Sequence, residues 1–239
     1  MTLPESRPAN TDAKKAVERL SVYVYDAPVR IWHWANAFSI LTLALTGYFI
    51  GSPLTSVSGE ASANYLMGRI RFIHFAAAQI LTVLLILRVY WVLVGNVHAR
   101  QIFYVPIWSG RFWKQLSHEV RWYMFMARQP KKYAGHNPLA RFTMFLMFTL
   151  PLFFMVITGF ALYSEGAGRD SWEYVVFGWV FSMWPNSQDV RTNHHLGMWV
   201  ILIFVIVHIY VAVREDIMSS QSIISSMISG ERLSKELED

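Results

Sequence analysis

The stretch of sequence that decides the fold reads HHLGMWVILIFVIVHIYVAV and covers residues 194–213. An apolar run of about 20 residues is the length that an α-helix needs to cross a bilayer core of ~30 Å. The run therefore predicts a transmembrane helix with a histidine towards each end, His194 and His208. Because an ionisable side chain is expensive to bury in a membrane, both histidines are candidate functional residues.

Three further apolar segments precede this one, so that the predicted spans cover roughly residues 31–50, 70–94, 139–163 and 196–213. The chain has 239 residues, of which 54% are hydrophobic, and a positive mean hydropathy, which excludes an ordinary soluble domain. Helices satisfy their own backbone polar groups in lipid. The predicted fold is an all-α, four-helix integral membrane bundle. Asn137 and Pro138 suit the start of the third helix, and Pro151 predicts a kink within it.

Lys and Arg residues divide unevenly between the two ends of these helices. Most lie in the N-terminal tail and in the connection between spans two and three, namely Arg7, Lys14, Lys15, Arg19, Arg30, Arg100, Arg111, Lys114, Arg121, Arg128, Lys131 and Lys132. The two opposite segments contain Arg69, Arg71, Arg169 and Arg191. The positive-inside rule therefore predicts an inner-membrane protein with both termini in the cytoplasm. The expected organisation is a tail over residues 1–29, a transmembrane domain over residues 30–218 and a tail over residues 219–239.

The connection between spans two and three is too long for a simple turn. Apolar residues recur in it at near-helical spacing among Lys and Arg, namely Ile107, Trp108, Phe112, Trp113, Leu116, Val120 and Tyr123. This pattern predicts an amphipathic helix that lies on the cytoplasmic face of the membrane. The modest net charge of +5 is assigned to such loops, and no nucleic-acid partner is expected.

Two more histidines, His33 and His74, open the first and second spans. With the predicted topology, His33 and His208 lie at the cytoplasmic level, whereas His74 and His194 lie at the periplasmic level. On the fourth helix, a step of 14 residues corresponds to roughly 21 Å and keeps His194 and His208 within about 40° of one face. His195 is rotated to the opposite side and is expected to face another helix or the interface, so His194 is the predicted ligand.

The same step of 14 residues leads from His33 to Gly47 and from His74 to Arg88. A glycine at Gly47 would let a bulky ring approach the backbone. Arg88 would reach an anionic group such as a haem propionate. Two simpler interpretations stay open: Gly47 serves helix packing, and Arg88 extends to the cytoplasmic surface.

Two pairs of histidines at two depths, in a chain without cysteine, suggest two b-type haems. A zinc site would need further ligands, and the spans contain no Cys or carboxylate to supply them. Bis-histidine ligation fills both axial positions of the iron and suits electron transfer. A proton relay through the histidines is an alternative, although it does not require pairs at equal depth.

Several motifs together resemble the cytochrome b subunit of membrane-bound, uptake-type nickel–iron hydrogenases. They cover roughly residues 22–218 and are RIWHW (30–34), LTG (45–47), IHF (73–75), GHNP (135–138), TGFALYSE (158–165) and HHLGMW (194–199), followed by Phe204 and His208. The resemblance implies a di-haem subunit whose ligands are His74 with His194 on the periplasmic side and His33 with His208 on the cytoplasmic side.

The resemblance also implies the partners. They are a periplasmic hydrogenase small subunit, the large subunit bound through it, membrane lipid, and menaquinone or ubiquinone as the electron acceptor near the cytoplasmic haem. The chain would be an electron-transfer subunit and no enzyme on its own. Arg30, Arg71, Arg88 and Arg214 are candidate contacts of propionate or quinone. Three alternatives stay open: the cytochrome b subunit of another dehydrogenase such as formate dehydrogenase, a non-redox membrane anchor, and a small transporter.

Overall fold

The structure is a computed structural model that describes residues 20–54, 64–128, 131, 133, 136–219 and 222–234. Five of the basic residues used for the topology lie outside these ranges, namely Arg7, Lys14, Lys15, Arg19 and Lys132. Gly135 of the GHNP motif and most of the predicted N-terminal tail also lie outside them.

Nine α-helices and two short strands make up the regular structure of the described residues. The elements are β1 (Leu20–Tyr23), α1 (Ala27–Gly51), α2 (Leu66–Val94), α3 (Gly110–Tyr123), α4 (Pro138–Met144), α5 (Leu150–Ala167), α6 (Trp172–Phe177), α7 (Val180–Met183), α8 (Ser187–Ser219), α9 (Ile223–Ser229) and β2 (Glu231–Ser234). A 3-10 turn covers Val97–Arg100, and a π-helical turn over Phe145–Thr149 joins α4 to α5.

Four helical segments are long and apolar enough to cross a membrane: Ala27–Gly51, Leu66–Val94, Pro138–Ala167 and Ser187–Met218. The predicted four-helix membrane bundle is therefore confirmed. Helix α1 packs along α2 and α5 packs along α8, while contacts of α1 with α8 and of α2 with α5 close the bundle. Most of the large apolar side chains on these helices remain exposed, as a lipid-facing surface requires.

The third span is built from α4, the π-helical turn and α5. Asn137 caps its first turn, since its side-chain oxygen accepts a hydrogen bond from the backbone N–H of Ala140 at 2.6 Å. Pro151 lacks a backbone N–H, and its ring would collide with the carbonyl group four residues earlier in a regular α-helix. A wider π-helical turn immediately before it avoids this collision. The irregularity expected at Pro151 is therefore a local change of helix type.

Helix α3 confirms the amphipathic helix predicted in the second connection. The side chains of Phe112, Glu119 and Trp122 are buried, and α3 packs against α4. Trp113 and Val120, which belong to the predicted apolar face, are 46% and 37% exposed. Exposed apolar side chains of this kind suit a helix that contacts lipid.

The two ends of the described chain meet in a two-stranded antiparallel sheet that the sequence analysis did not predict. Tyr23 of β1 pairs with Glu231 of β2, and the backbone N–H of Val24 donates to the carbonyl of Gly230 at 2.9 Å. Gly230 has a φ of 88°, which glycine adopts without steric strain. Both ends of the described chain therefore lie at the same end of the bundle, and α9 and β2 lie within the predicted C-terminal tail over residues 219–239.

Candidate functional site

His33 of α1 and His208 of α8 form the first histidine pair. Their ring centroids are 6.3 Å apart, with an angle of 50° between the ring planes. A metal ion with bonds of about 2 Å to each imidazole fits between rings at this separation. Phe204, one turn before His208, stacks on it with centroids 5.5 Å apart. Nδ1 of His33 is buried and has no hydrogen-bond partner among the described residues.

His74 of α2 and His194 of α8 form the second pair. Both line a partly open cavity of about 920 Å³ between α1, α2, α5 and α8. This volume lies at the upper end of the range for ligand-binding pockets, ~300–1,000 Å³. The cavity is lined mainly by apolar side chains, and two cations, Arg71 and Arg191, line it as well. The arrangement suits a large, mainly apolar ligand with a few charged groups.

Two threonines orient the histidines of this second pair. The hydroxyl of Thr46 lies 2.9 Å from Nδ1 of His74, and the hydroxyl of Thr158 lies 2.8 Å from Nδ1 of His194. Each hydroxyl also donates to a carbonyl of its own helix, that of Thr42 at 2.6 Å and that of Phe154 at 2.7 Å. Each hydroxyl oxygen is then left to accept from Nδ1–H, which leaves the Nε2 lone pair of each imidazole free to bind a metal.

A glycine follows each of these threonines and lies against the same imidazole. A Cβ atom on Gly47 would be 3.3 Å from Cε1 of His74, and one on Gly159 would be 3.3 Å from Cε1 of His194. Gly47 thus lies beside a ring at the level of the second pair, where the 14-residue step had placed it. The sequence analysis missed Thr46, Thr158 and Gly159 as site residues, and the repeated Thr-Gly dipeptide in spans one and three was the available signal.

His195 faces another helix, which is one of the two surroundings predicted for it. It lines the same cavity as His194 and faces α1, where a Cβ atom on Gly51 would be 3.0 Å from its Cε1 atom. Its ring also lies beside that of Trp199, with centroids 6.2 Å apart. The contact with Thr158 distinguishes His194 from His195, and the choice of His194 as the ligand stays a prediction.

Arg88 is buried near the first pair, with only 3% of its surface exposed. The alternative in which it extends to the membrane surface is therefore wrong. Its guanidinium donates to the carbonyl of Ala99 at 2.8 Å and lies over the rings of Trp32 and Phe103 at 5.2 and 5.9 Å. Its Nε and Nη1 atoms are buried without a partner among the described residues. Because Trp32 is adjacent to His33, these N–H groups suit an anionic group bound beside the first pair.

The other three candidate arginines have different surroundings. Arg30 donates to the carbonyl of Ile228 and so ties α1 to α9. Arg214 forms an ion pair with Glu215 at 2.9 Å and lies over the rings of Trp122 and Tyr123, both in the last turn of α3. It therefore serves to anchor α3 to the end of α8. Arg71, by contrast, lines the cavity of the second pair.

A buried carboxyl group lies outside the membrane spans, on α3. Glu119 is 2% exposed, accepts a hydrogen bond from the hydroxyl of Tyr133 at 3.1 Å, and lies 3.6 Å from Nδ1 of His118. Burial raises the pKa of Glu119 because it disfavours the charged form, and Glu215 nearby acts in the same direction. The hydrogen bond from Tyr133 and the neighbouring His118 oppose this rise in pKa only in part.

The donor groups of both pairs fit haem. A structural zinc site needs four protein ligands, and no group of three or more His, Cys, Asp or Glu side chains that could hold a metal ion is found within the ranges that the structure describes. A haem brings four nitrogens of its own and needs only two axial ligands from the protein. The glycines beside the second pair leave room for the rings, and the unpartnered N–H groups of Arg88 suit a propionate.

Residues 24–230 match the family described as prokaryotic cytochrome b561. The chain belongs to this family. The prokaryotic cytochrome b561 match covers all four spans and α9. It identifies the chain as a multi-pass membrane cytochrome of b type that functions in electron transfer, and it implies haem b as the cofactor.

Curated relatives of this cytochrome carry the name probable Ni/Fe-hydrogenase B-type cytochrome subunit. The protein of Rhizobium leguminosarum bv. viciae is 80% identical over 239 residues, which is 100% of both chains. That of Cupriavidus necator is 54% identical over 216 residues, 90% of this chain and 88% of the relative. The Escherichia coli K12 protein, a hydrogenase 1 subunit by name, is 47% identical over 229 residues, 93% and 95% of the two chains. The resemblance drawn from the sequence motifs is thereby confirmed.

Proposed function

We propose that this cytochrome passes electrons from a periplasmic nickel–iron hydrogenase, through two b-type haems, to quinone in the inner membrane. The observation that carries the proposal is the arrangement of four histidines as two pairs that share helix α8. His194 and His208 are 14 residues apart on that helix, or roughly 21 Å along its axis. Each pair takes its second histidine from a different helix, so a planar ligand can be bound between two spans at each level.

The residues of the chain have distinct roles in this proposal. His74 and His194 would hold one haem, and His33 and His208 the other, each through the Nε2 lone pair of a neutral imidazole. When bound, each haem would supply a one-electron carrier. The chain keeps the rings in fixed positions, excludes water with the apolar side chains of the bundle, and offers Arg88 to an anionic group beside the His33–His208 pair.

The orientation in the membrane has two supports. Basic residues are concentrated in the N-terminal segment and in the connection that contains α3. The pairing of β1 with β2 keeps the two ends of the described chain on one side. We infer that this side is cytoplasmic and that the hydrogenase small subunit, carrying the large subunit, docks at the opposite end near the His74–His194 pair. Menaquinone or ubiquinone would then be reduced near the His33–His208 pair.

The names of the relatives favour hydrogenase over formate dehydrogenase as the partner enzyme. An electron-transfer subunit needs its histidine ligands for function, whereas a non-redox membrane anchor does not. An anchor would keep the hydrogenase on the membrane whether or not His33, His74, His194 and His208 are present. An electron-transfer subunit loses hydrogen-dependent quinone reduction when any one of these four ligands is removed.

The test is a haem-to-protein ratio of the purified cytochrome–hydrogenase complex, with a reduced-minus-oxidised spectrum and an assay of hydrogen-dependent quinone reduction. We expect a ratio of two, b-type bands and quinone reduction. Alanine at each of the four histidines should lower the ratio and abolish quinone reduction, while hydrogen-dependent reduction of a soluble dye by the hydrogenase continues. A haem-free complex, or unchanged quinone reduction in the histidine variants, would contradict the proposal.

A further inference from the structure

The two histidine pairs differ in the hydrogen-bond partners of the Nδ1 atoms of their imidazole rings. In the His74–His194 pair, Nδ1 of each ring lies within 2.9 Å of a threonine hydroxyl. In the His33–His208 pair, Nδ1 of His33 is buried without a hydrogen-bond partner among the described residues. The rings of that pair contact aromatic side chains instead, those of Trp34 and Phe204. The two pairs therefore consist of the same residue type but differ in the hydrogen bonds made to their histidines.

The threonine contacts occur twice, in separate helix pairs. Thr46 on α1 contacts His74 on α2, and Thr158 on α5 contacts His194 on α8. In each case the hydroxyl donates its proton to a carbonyl one turn earlier on its own helix. A glycine follows the threonine, and a Cβ atom on that glycine would be 3.3 Å from Cε1 of the same ring. Two independent occurrences of one arrangement indicate that the contact has a role beyond packing.

A hydrogen bond from Nδ1–H to an acceptor has a known electronic effect on a ligating histidine. It fixes the tautomer and orientation of the ring and increases the basicity of the nitrogen that binds the metal. A more basic axial ligand stabilises the ferric state, which carries the higher positive charge, over the ferrous state. The reduction potential of the haem is lowered as a result, since hydrogen bonds around the axial ligands are one of the means by which a protein sets that potential.

We propose that Thr46 and Thr158 are positioning residues that hold both axial ligands of the haem between His74 and His194 in the Nδ1–H form and lower its reduction potential. This inference rests on the proposed haem ligation. The haem between His33 and His208 has no such hydrogen bond at His33, so its potential lies higher. Electrons that arrive at the His74–His194 end would thus move to a haem of higher potential on the way to quinone. The two threonines would thereby make the step between the two haems energetically favourable.

The experiment is a potentiometric titration and low-temperature EPR of the purified holo-complex carrying Thr46→Val, Thr158→Val or both. Valine keeps the size of threonine and removes the hydroxyl acceptor. Thr46→Ser and Thr158→Ser keep the hydroxyl and serve as conservative rescues. Thr42→Val is the matched control, because the Thr42 hydroxyl donates to the carbonyl of Phe38 on its own helix, at 2.9 Å, and bonds to no histidine among the described residues. His194→Ala identifies which of the two potentials belongs to the His74–His194 pair.

In each valine variant we expect the reduction potential of the haem between His74 and His194 to rise and its EPR signal to shift. The change should be larger in the double variant. The other haem, the serine variants and Thr42→Val should match the wild type. Loss of that haem alone in a valine variant, with retention in the serine variant, also supports the positioning role. Unchanged potentials and EPR signals in the double valine variant would overturn the inference, as would serine variants that behave like valine. Wild-type complex without two haems would instead contradict the proposed function.

Discussion

The imidazoles of His33 and His208 face each other at a centroid distance of 6.3 Å, although one belongs to the first membrane span and the other to the last. The contact of α1 with α8 brings them together. Helix α8 also contributes His194 to the second pair. His194 and His74 line the same cavity. One helix therefore takes part in both sites and sets the distance between them.

Removal of His194 and of His195 should have different effects on haem content. We expect His194→Ala to lower the haem-to-protein ratio of the purified complex from two to one, because it removes a proposed axial ligand. His195→Ala should leave the ratio at two, since the described contacts of His195 are with Gly51 and Trp199 and no threonine orients its ring. A reversed result would show that His195 is the ligand and that the face assigned to α8 is wrong.

Replacement of Arg88 by glutamine should lower the potential of the haem at the His33–His208 pair, because a buried positive charge favours the reduced state. Loss of a unit charge at ~8 Å with an effective dielectric constant of ~20 amounts to about 2 kcal/mol. Potentiometric titration measures this change. Arg100→Gln is the matched control, since Arg100 is exposed and donates to the carbonyl of Val92 at 3.1 Å. Equal potentials in wild type and Arg88→Gln would exclude the contact with a propionate.

Added volume at Gly47 should displace the ring of His74. A Cβ atom there would be 3.3 Å from Cε1, so we expect Gly47→Ala to weaken haem retention and Gly47→Val to abolish it at the His74–His194 pair. The haem-to-protein ratio after detergent washing checks both. Gly166→Ala is the control, because its Cβ would meet no atom within 4 Å and alanine is favoured over glycine in a helix by ~1 kcal/mol. Full haem retention in Gly47→Val would refute the close approach.

The buried Glu119 should make the stability of the chain depend on pH. Its pKa is raised by burial above the ordinary value of about 4.3, so the folded chain binds the proton more tightly than the unfolded chain does. Stability is then greatest at low pH and decreases as the pH rises through the folded-state pKa. Glu119→Gln keeps an acceptor for Tyr133 and removes the charge.

Thermal unfolding of wild type and Glu119→Gln, followed from acid to alkaline pH, measures how the stability of each depends on pH. We expect the glutamine variant to melt at a higher temperature than the wild type at alkaline pH, and the difference to shrink towards acid pH. Glu165→Gln is a suitable comparison, because Glu165 forms a partly exposed ion pair with Arg191 at 2.7 Å. A wild-type advantage that grows as the pH rises would contradict the stated cause of the pKa shift.

The sequence predicted those parts of the site that depend on one helix at a time. Apolar length located the four spans, and the helical repeat placed Gly47 at the level of His74, where the structure has it against the ring. The repeat predicted that His195 would face another helix or the interface, but it could not identify α1 as that helix or show that His195 lines the same cavity as His194. Rotation angles on an isolated helix do not say which neighbours surround it, and a neighbouring helix such as α1 can receive a side chain that points away from the presumed centre.

The sequence by itself determined the class of this protein and its four spans, and it identified the four histidines as candidate ligands. Apolar length, charge distribution and residue spacing are local properties of the chain. Only the tertiary structure decided that Thr46 bonds His74, that Thr158 bonds His194, and that Arg88 is buried over Trp32. The threonine and histidine partners are 28 and 36 residues apart, on different helices. Such contacts depend on which helices pack together and on their relative height, and no single segment encodes either.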